Sequence, residues 1–176
     1  RLGERKPKIV MAALNPQMLK LAGEIADGVL LNYLPSSHVA TSIEQVRKGG
    51  DATIFAYVHA AVSDFEQSAK SARKDLFNYA MADSYANMFR NAGFGEEIDA
   101  LRACHQNRDR EGALAAISDR MVQAIDFIGD ESAVTDFVAD YIKAGVQHPV
   151  LMPLPWGEDR AAVAHSTMAA AARAVE

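Results

Sequence analysis

The stretch Lys8–Leu34, which reads KIVMAALNPQMLKLAGEIADGVLLNYL, decides the fold. Its first apolar run, Ile9–Ala13, predicts a buried strand. The Leu14-Asn15-Pro16 that follows predicts the start of a helix, because Asn caps helices and Pro suits their first position. After Asp27-Gly28, a second apolar run, Val29–Leu31, predicts another strand. A strand, a helix and a strand in this order predict a parallel pair joined by a right-handed crossover.

The helix between these strands shows apolar residues at three- and four-residue spacing. Met18, Leu21, Ala22 and Ile25 fall on one face, and we expect that face to lie on the sheet. Small residues at the strand-to-helix turn allow an anion to approach the N-terminus of the helix. The turn is therefore where we expect a cofactor to bind.

The same residues carry a resemblance to a known family. The chain has Ala12-Ala13-Leu14-Asn15-Pro16-Gln17-Met18 and then Leu21-Ala22-Gly23-Glu24-Ile25-Ala26-Asp27-Gly28. This pattern resembles the middle of the luciferase-like monooxygenases, which are (β/α)8-barrel enzymes that use FMN or the deazaflavin F420. The similarity continues through Gly129-Asp130-Glu131-Ser132, Ala144-Gly145 and Val150–Pro155. It covers nearly the whole chain but only the second half of a family member.

The resemblance implies a function and a set of binding residues. It implies an F420- or FMN-dependent oxidoreductase that transfers hydride to or from a small organic substrate, or oxygenates it. It slightly favours F420. In similar proteins the first loop lies beside the phosphate of the cofactor, and here Asn15 stands where the family often has glycine. The implied cofactor-binding residues are Ala12, Ala13, Leu14, Asn15, Pro16 and Gln17.

The predicted order of elements along the whole chain is β-α-β-α-β, then a helical insertion, then β-α. Apolar residues on both faces of Ala52–Val62 predict a strand buried on two sides, and Pro149–Leu154 predicts a last strand. Between them, a helical insertion of about residues 64–147 is longer than one crossover requires. Within it, Glu111–Phe127 predicts one helix with a stripe of Leu114, Ile117, Met121 and Ile125.

Four parallel strands are half of a barrel. A complete (β/α)8 barrel has eight strands and about 250 residues. We therefore predict an α/β fold in which residues 1–176 form the C-terminal half of a TIM barrel, with the helical insertion before the last strand. An open, four-stranded flavodoxin-like sheet is the alternative. Arg1 stands at the start in place of Met, which predicts a processed or partial chain.

Four strands alone would leave two edges unpaired, and unpaired edges invite pairing. The expected partner is the missing N-terminal half of the barrel or a second copy of the chain, and hence a homo-oligomer. The family resemblance also leaves a second functional reading open, in which the half-barrel binds no cofactor and serves as an assembly or scaffolding module.

Side chains at the ends of strands are the candidates for a substrate pocket, since barrel enzymes place their chemistry there. Asn32 and Tyr33 follow the second strand, and Trp156 follows the last. Rim packing is the other reading of the two aromatic residues, and it is the commoner role of a tyrosine at the end of a strand. His59, in the third strand, could face the interior and titrate near neutrality, or it could be a packed core histidine. The pattern identifies no catalytic residue.

Composition excludes several classes of function. The 176 residues are 49% hydrophobic and carry a net charge of −5 without a Lys/Arg cluster, so we expect no nucleic-acid partner. Apolar runs stop well short of a membrane span, so we expect no membrane insertion. Cys104 is the only cysteine, which excludes an internal disulfide and suggests a cytoplasmic protein. No Cys/His grouping has the spacing of a metal site.

Overall fold

The computed structural model describes residues 6–175, which form five strands and nine α-helices. The strands are β1 (Val10–Ala12), β2 (Gly28–Leu31), β3 (Thr53–Val62), β4 (Asp126–Gly129) and β5 (His148–Pro153). The α-helices are α1 (Pro16–Ile25), α2 (Ser36–Arg47), α3 (Phe65–Ala80), α4 (Asp83–Phe89), α5 (Gly95–Gln106), α6 (Arg110–Ala115), α7 (Asp119–Ile125), α8 (Glu131–Lys143) and α9 (Arg160–Ala172). A π-helical turn, Arg90–Phe94, joins α4 to α5, and a 3-10 turn, Arg173–Val175, follows α9.

All pairings between the described strands are parallel, and β3 lies at the centre. Phe55 of β3 pairs with Leu30 of β2 on one edge and with His148 of β5 on the other. His59 pairs with β5 and also with Asp126, so β4 continues the β2 side along the second half of β3. The prediction of parallel (β/α) units is confirmed.

The strand β4 corrects the prediction for the insertion. Glu111–Phe127 was expected to be one helix, but Ser118 interrupts it and caps α7 by accepting a hydrogen bond from the N–H of Met121. The helix then ends at Ile125, and Asp126–Gly129 pairs with β3. The strand has only four residues and follows α7 without a loop, so apolar periodicity alone does not show where the helix ends and the strand begins. The sheet therefore has five strands, not four.

The two faces of the sheet differ in burial. Ile54, Ala56 and Val58 of β3 are completely buried on the face that packs against α8 and α9. Phe55 and Tyr57, which point to the opposite face, are only half-buried. Burial on both faces was predicted for all of Ala52–Val62. It occurs only in the second half of β3, where the helical insertion covers the strand.

The inward face of α1 also differs from the prediction. Of the four residues expected to lie on the sheet, only Ala22 is buried, whereas Met18, Leu21 and Ile25 are 43, 37 and 67% exposed. The buried side is formed by Leu19, Ala22 and Gly23, because α1 lies close to the end of α2. The apolar stripe predicted from the spacing exists, but it faces outward.

Glycines set the distance between α1 and α2. A Cβ atom at Gly23 would lie 2.2 Å from the carbonyl oxygen of Val46, and one at Gly49 would lie 2.0 Å from that of Lys20. Both obstacles are backbone atoms, which a side-chain rotation cannot move. Gly23 and Gly49 are therefore required for this helix pair to pack at its present distance.

Gly23→Ala is expected to lower the free energy of unfolding by about 2 kcal/mol, because the added methyl group must push two helix backbones apart. Urea denaturation measures the change. Gly95→Ala is the matched control, since a Cβ there meets no atom within 4 Å, and we expect it to stay within about 0.5 kcal/mol of the wild type. Equal destabilisation by both substitutions would contradict the role of the close helix contact.

Candidate functional site

A cleft of about 260 Å³ opens at the carboxyl ends of β1 and β2, on the half-exposed face of the sheet. Parallel α/β proteins bind their ligands at this edge of the sheet. The cleft is mostly apolar, with a few polar groups, which is the usual make-up of a small-molecule site. Its lining residues are Ala12, Ala13, Leu14, Asn15, Met18, Leu30, Asn32, Tyr57, Ser84 and Tyr85.

The structure brings together five of the residues predicted for the site. Ala12, Ala13, Leu14 and Asn15 form one wall and Asn32 stands on the neighbouring strand end. Pro16 and Gln17 lie just beyond the lining, in the first turn of α1. Their role in binding a cofactor stays a prediction, but the geometry places the whole loop at the mouth of the cleft.

Asn15 occupies the cap position of α1 without capping it. Its backbone is extended and Pro16 takes the first helical position, as predicted, but its side-chain amide Nδ2 donates a hydrogen bond to the carbonyl oxygen of Ser84 at 3.0 Å. The predicted capping bond is therefore wrong, because the side chain is used to tie the loop to α4. No side chain in residues 6–175 caps this helix, so the N–H groups of its first turn keep their capacity to bind an anion.

The opposite wall comes from the helical insertion. The side-chain amide of Asn32 donates to the hydroxyl oxygen of Tyr85 at 3.0 Å, which leaves the Tyr85 proton free to be donated elsewhere. Burial raises the pKa of Tyr85, so its hydroxyl stays neutral at ordinary pH. The Oδ1 atom of Asn32 is buried and has no hydrogen-bond partner among the described residues. The Asn32–Tyr85 pair thus joins the sheet to the insertion at the edge of the cleft.

Tyr33 and Trp156, which were predicted to line a substrate pocket, lie outside the lining of the cleft. Tyr33 is 6% exposed, and its hydroxyl donates to Asp75 Oδ2 at 2.6 Å. Its backbone has a positive φ of 51°, and its ring packs against that of His59. Trp156 follows β5, and its carbonyl oxygen accepts a hydrogen bond from the hydroxyl of Ser63. Both residues support neighbouring elements, and their contact with a substrate stays a prediction.

His59 is a packed core histidine. It is 4% exposed, and burial lowers its pKa to about 4, so the imidazole is neutral at pH 7. Of the two readings of His59, the structure supports the packed core histidine over titration near neutrality. Its ring packs against Tyr33 with centroids 4.1 Å apart.

Sequence reasoning missed Tyr57, Ser84 and Tyr85. Tyr57 lies two residues after Phe55 on the half-exposed face of β3, so strand alternation could have identified it. Ser84 and Tyr85 come from the insertion, more than 50 residues from the strands that they approach. No local pattern predicts such a contact.

Two absences concern only the described part of the chain. Residues 6–175 contain no group of three His, Cys, Asp or Glu side chains that could hold a metal ion. Among the helices of the same range, none combines the length and the hydropathy that crossing a lipid bilayer requires.

Comparison with known proteins identifies a family and several relatives. The family model of the luciferase-like monooxygenases matches residues 1–148. The chain is 26% identical over 159 residues to a 5,10-methylenetetrahydromethanopterin reductase of Methanopyrus kandleri. It is also 26% identical over 165 residues to the protein of the same name from Archaeoglobus fulgidus. These matches span 85 and 86% of this chain but only 45 and 49% of the relatives, so the chain spans about half of their length.

Two solved structures share the fold. The coenzyme F420-dependent tetrahydromethanopterin reductase of Methanopyrus kandleri superposes with a TM-score of 0.68 at 22% identity, over 91% of this chain and 48% of the other. An F420-dependent secondary alcohol dehydrogenase, solved with an F420–acetone adduct, gives a TM-score of 0.53 at 14% identity, over 84 and 43% of the two chains. These likenesses establish the fold.

Proposed function

The chain belongs to the luciferase-like monooxygenase family, and from that premise we propose that it is the C-terminal half of an F420-dependent oxidoreductase. The intact enzyme transfers a hydride between F420 and a small organic molecule. The single observation that carries this proposal is the cleft, which places an uncapped helix start and an apolar wall side by side at the carboxyl ends of parallel strands. The F420 dependence of the two proteins whose structures are similar, the tetrahydromethanopterin reductase and the secondary alcohol dehydrogenase, supports F420 over FMN.

The residues present fit a ring system that carries a phosphate. The first-turn N–H groups of α1 suit the phosphate, since helix N-termini attract anions. Leu30, Tyr57 and Tyr85 provide apolar and aromatic surface for a planar ring. Asn15, where the family often has glycine, does not block the phosphate position, because its side-chain amide donates a hydrogen bond to the carbonyl of Ser84.

F420, when bound, supplies the hydride-transfer chemistry. The chain's own residues then have binding and orienting roles. Tyr85 and Tyr57 exclude water from the ring, and the Asn32–Tyr85 hydrogen bond holds the insertion against the sheet so that the two walls keep their distance. We assign no acid or base in this half of the barrel.

Titration of the intact protein with F420 and, separately, with FMN tests the proposal. We expect saturable quenching of F420 fluorescence with at least about tenfold tighter binding of F420 than of FMN. Tighter binding of FMN would assign the protein to the flavin branch of the family. Failure of both cofactors to bind, with the protein folded, would overturn the proposal and favour the non-catalytic assembly module.

We also propose that the open sides of this structure are covered by the other half of a barrel or by a second copy of the chain. Ile9 and Val10 beside the β1 edge are 62 and 45% exposed, and Met152 on β5 is 40% exposed. Exposed large apolar side chains at the edges of a sheet are typical of surfaces that meet a partner. A cytoplasmic location is part of the same proposal and rests on the single free cysteine.

A further inference from the structure

A carboxyl group is buried behind the cleft without an obvious partner. Asp126, at the start of β4, has no exposed surface, and neither of its carboxyl oxygens has a hydrogen-bond partner among the described residues when both are counted as acceptors. An isolated buried carboxylate is strongly unfavourable, because the charge loses its hydration. The group must therefore be neutralised by a cation or by a proton.

Residues 6–175 supply no cation to Asp126. The one basic atom that they place within 4.0 Å of its carboxyl oxygens is Nδ1 of His59 on β3, at 3.8 Å, which is too long for a hydrogen bond, and this imidazole is neutral. The other titratable groups that face Asp126 are Asp75 on α3, Tyr33 after β2 and Tyr141 on α8. All of these are acids, so the remaining way to neutralise Asp126 is to keep its proton.

Asp75 is the natural acceptor for that proton. His59, whose Nδ1 lies 3.8 Å from Asp126, packs against Tyr33, and Tyr33 contacts Asp75, so Asp75 belongs to the same buried cluster. After burial, the charge of Asp75 and a hydrogen bond to it are the causes that raise the pKa of Asp126 well above the usual 3.8. Two carboxyl groups in contact cannot both ionise easily, and they share one proton instead. Asp75 also accepts the hydroxyl proton of Tyr33 at 2.6 Å.

We propose that Asp126 is a positioning residue whose protonated carboxyl donates a hydrogen bond to Asp75. This bond fixes the Asp75 carboxylate, which accepts the hydroxyl proton of Tyr33 and so holds Tyr33 behind the cleft. The ring of Tyr33 packs against Tyr79 with centroids 3.8 Å apart, and Tyr79 packs against Tyr85 at 4.9 Å. Since Tyr85 lines the cleft, the buried proton maintains one of its walls.

The proton has a predictable effect on stability. The pKa of Asp126 is higher in the folded than in the unfolded protein, so Asp126 stabilises the fold most at low pH and loses this contribution as the pH rises from 3.8 through the raised pKa. His59 acts in the opposite direction. Its pKa falls from 6.5 to about 4 on folding, so its contribution to stability increases between pH 4 and pH 6.5. Folding also lowers the pKa of His38, which acts in the same pH range and direction as His59. Above pH 6.5 neither histidine contributes to the slope, and the raised pKa values of Tyr33, Tyr85 and Tyr141 act only near pH 10 and above, so Asp126 contributes in between, until the pH passes its raised pKa.

The test compares Asp126→Asn with the wild type, because asparagine has the shape of a protonated aspartate and can still donate to Asp75. We expect the wild type to lose stability towards urea as the pH rises through the raised pKa of Asp126, and Asp126→Asn to show no such loss. Between pH 4 and 6.5, Asp126→Asn should gain stability, whereas the two opposing contributions partly cancel in the wild type. Asp136→Asn on the exposed side of α8 is the matched control and should follow the wild type.

Infrared spectroscopy gives the direct signature. At pH 7 the wild type should show the carbonyl band of a protonated carboxylic acid, which Asp126→Asn removes and Asp136→Asn retains. If Asp126→Asn does not fold, Asp75→Asn at the half-buried partner should shift the same band, because the acceptor of the proton has changed. Absence of a carboxylic acid band in the folded wild type would overturn the proposal.

The link to the cleft rests on the proposed function and has its own readout. Asp126→Ala removes the donor and should weaken F420 binding about tenfold, while Asp126→Asn keeps it within about threefold of the wild type. Equal weakening by both would contradict the positioning role. If the wild type bound no F420, the proposed function would be wrong. The infrared band would still show whether Asp126 is protonated.

Discussion

Ala12→Trp is expected to weaken F420 binding at least about 100-fold, because a large ring would occupy the space that the cofactor needs. Ala12 ends β1 and lines the cleft, and its side chain is exposed rather than packed in the core. The substitution therefore fills the cleft of about 260 Å³ without forcing apart a buried contact. Fluorescence titration with F420 measures the affinity, and circular dichroism and urea denaturation establish that the variant is folded.

Ala40→Trp on α2 is the control for this substitution. Ala40 is also an exposed alanine, but it lies outside the cleft, so the same added surface should leave the affinity for F420 unchanged. If Ala12→Trp bound F420 as tightly as Ala40→Trp, the cofactor would have to bind elsewhere on the protein. A loss in both variants would indicate that the added tryptophan acts through solubility rather than through the cleft.

Much of the fold could be predicted because its signals are local. The strands at Ile9–Ala13, Val29–Leu31, Ala52–Val62 and Pro149–Leu154 were each found within a few residues of their observed positions. Apolar runs followed by turn residues identify such strands without knowledge of their neighbours. The strand Asp126–Gly129 was missed because it exists only through its pairing with the end of β3.

Of the two walls of the cleft, only the one formed by the strand ends could be predicted from the sequence. The loop Ala12–Asn15 and Asn32 follow strands, and the rule that ligands bind at strand ends located them. The wall formed by Ser84 and Tyr85 depends on how the insertion folds back, which the sequence does not encode locally. Tyr33 was placed in the pocket for the same reason as Asn32. Its backbone instead adopts a positive φ, which turns the side chain into the core beside Asp75.

The outward face of α1 shows a further limit of periodicity. Spacing correctly grouped Met18, Leu21 and Ile25 on one stripe, but it could not determine which side of the helix meets the sheet. Gly23 determines which side of α1 is buried, because its missing side chain lets α1 approach α2 closely. The apolar stripe therefore stays exposed in this chain, and we expect the proposed partner to cover it.

Ile25→Lys is therefore expected to disrupt an association rather than the fold of this chain. Ile25 is 67% exposed, so a lysine there buries no charge within the chain, and its own stability should change by less than about 0.5 kcal/mol. If the other half of the barrel or a second copy covers the stripe, the lysine must be desolvated against an apolar surface. The association should then weaken at least about tenfold, as it does when a residue at the centre of an interface is replaced.

Sedimentation velocity of the intact protein at several concentrations measures this effect for a second copy, and urea denaturation measures it when the other half belongs to the same polypeptide. Ala40→Lys introduces the same charge at an exposed position of α2, outside the stripe, and should behave as the wild type. The comparison is decisive because the two lysines differ only in whether a partner covers them. If Ile25→Lys and Ala40→Lys were both silent in both measurements, the stripe on α1 would face solvent in the intact protein, and the proposed cover for the β1 edge would be wrong.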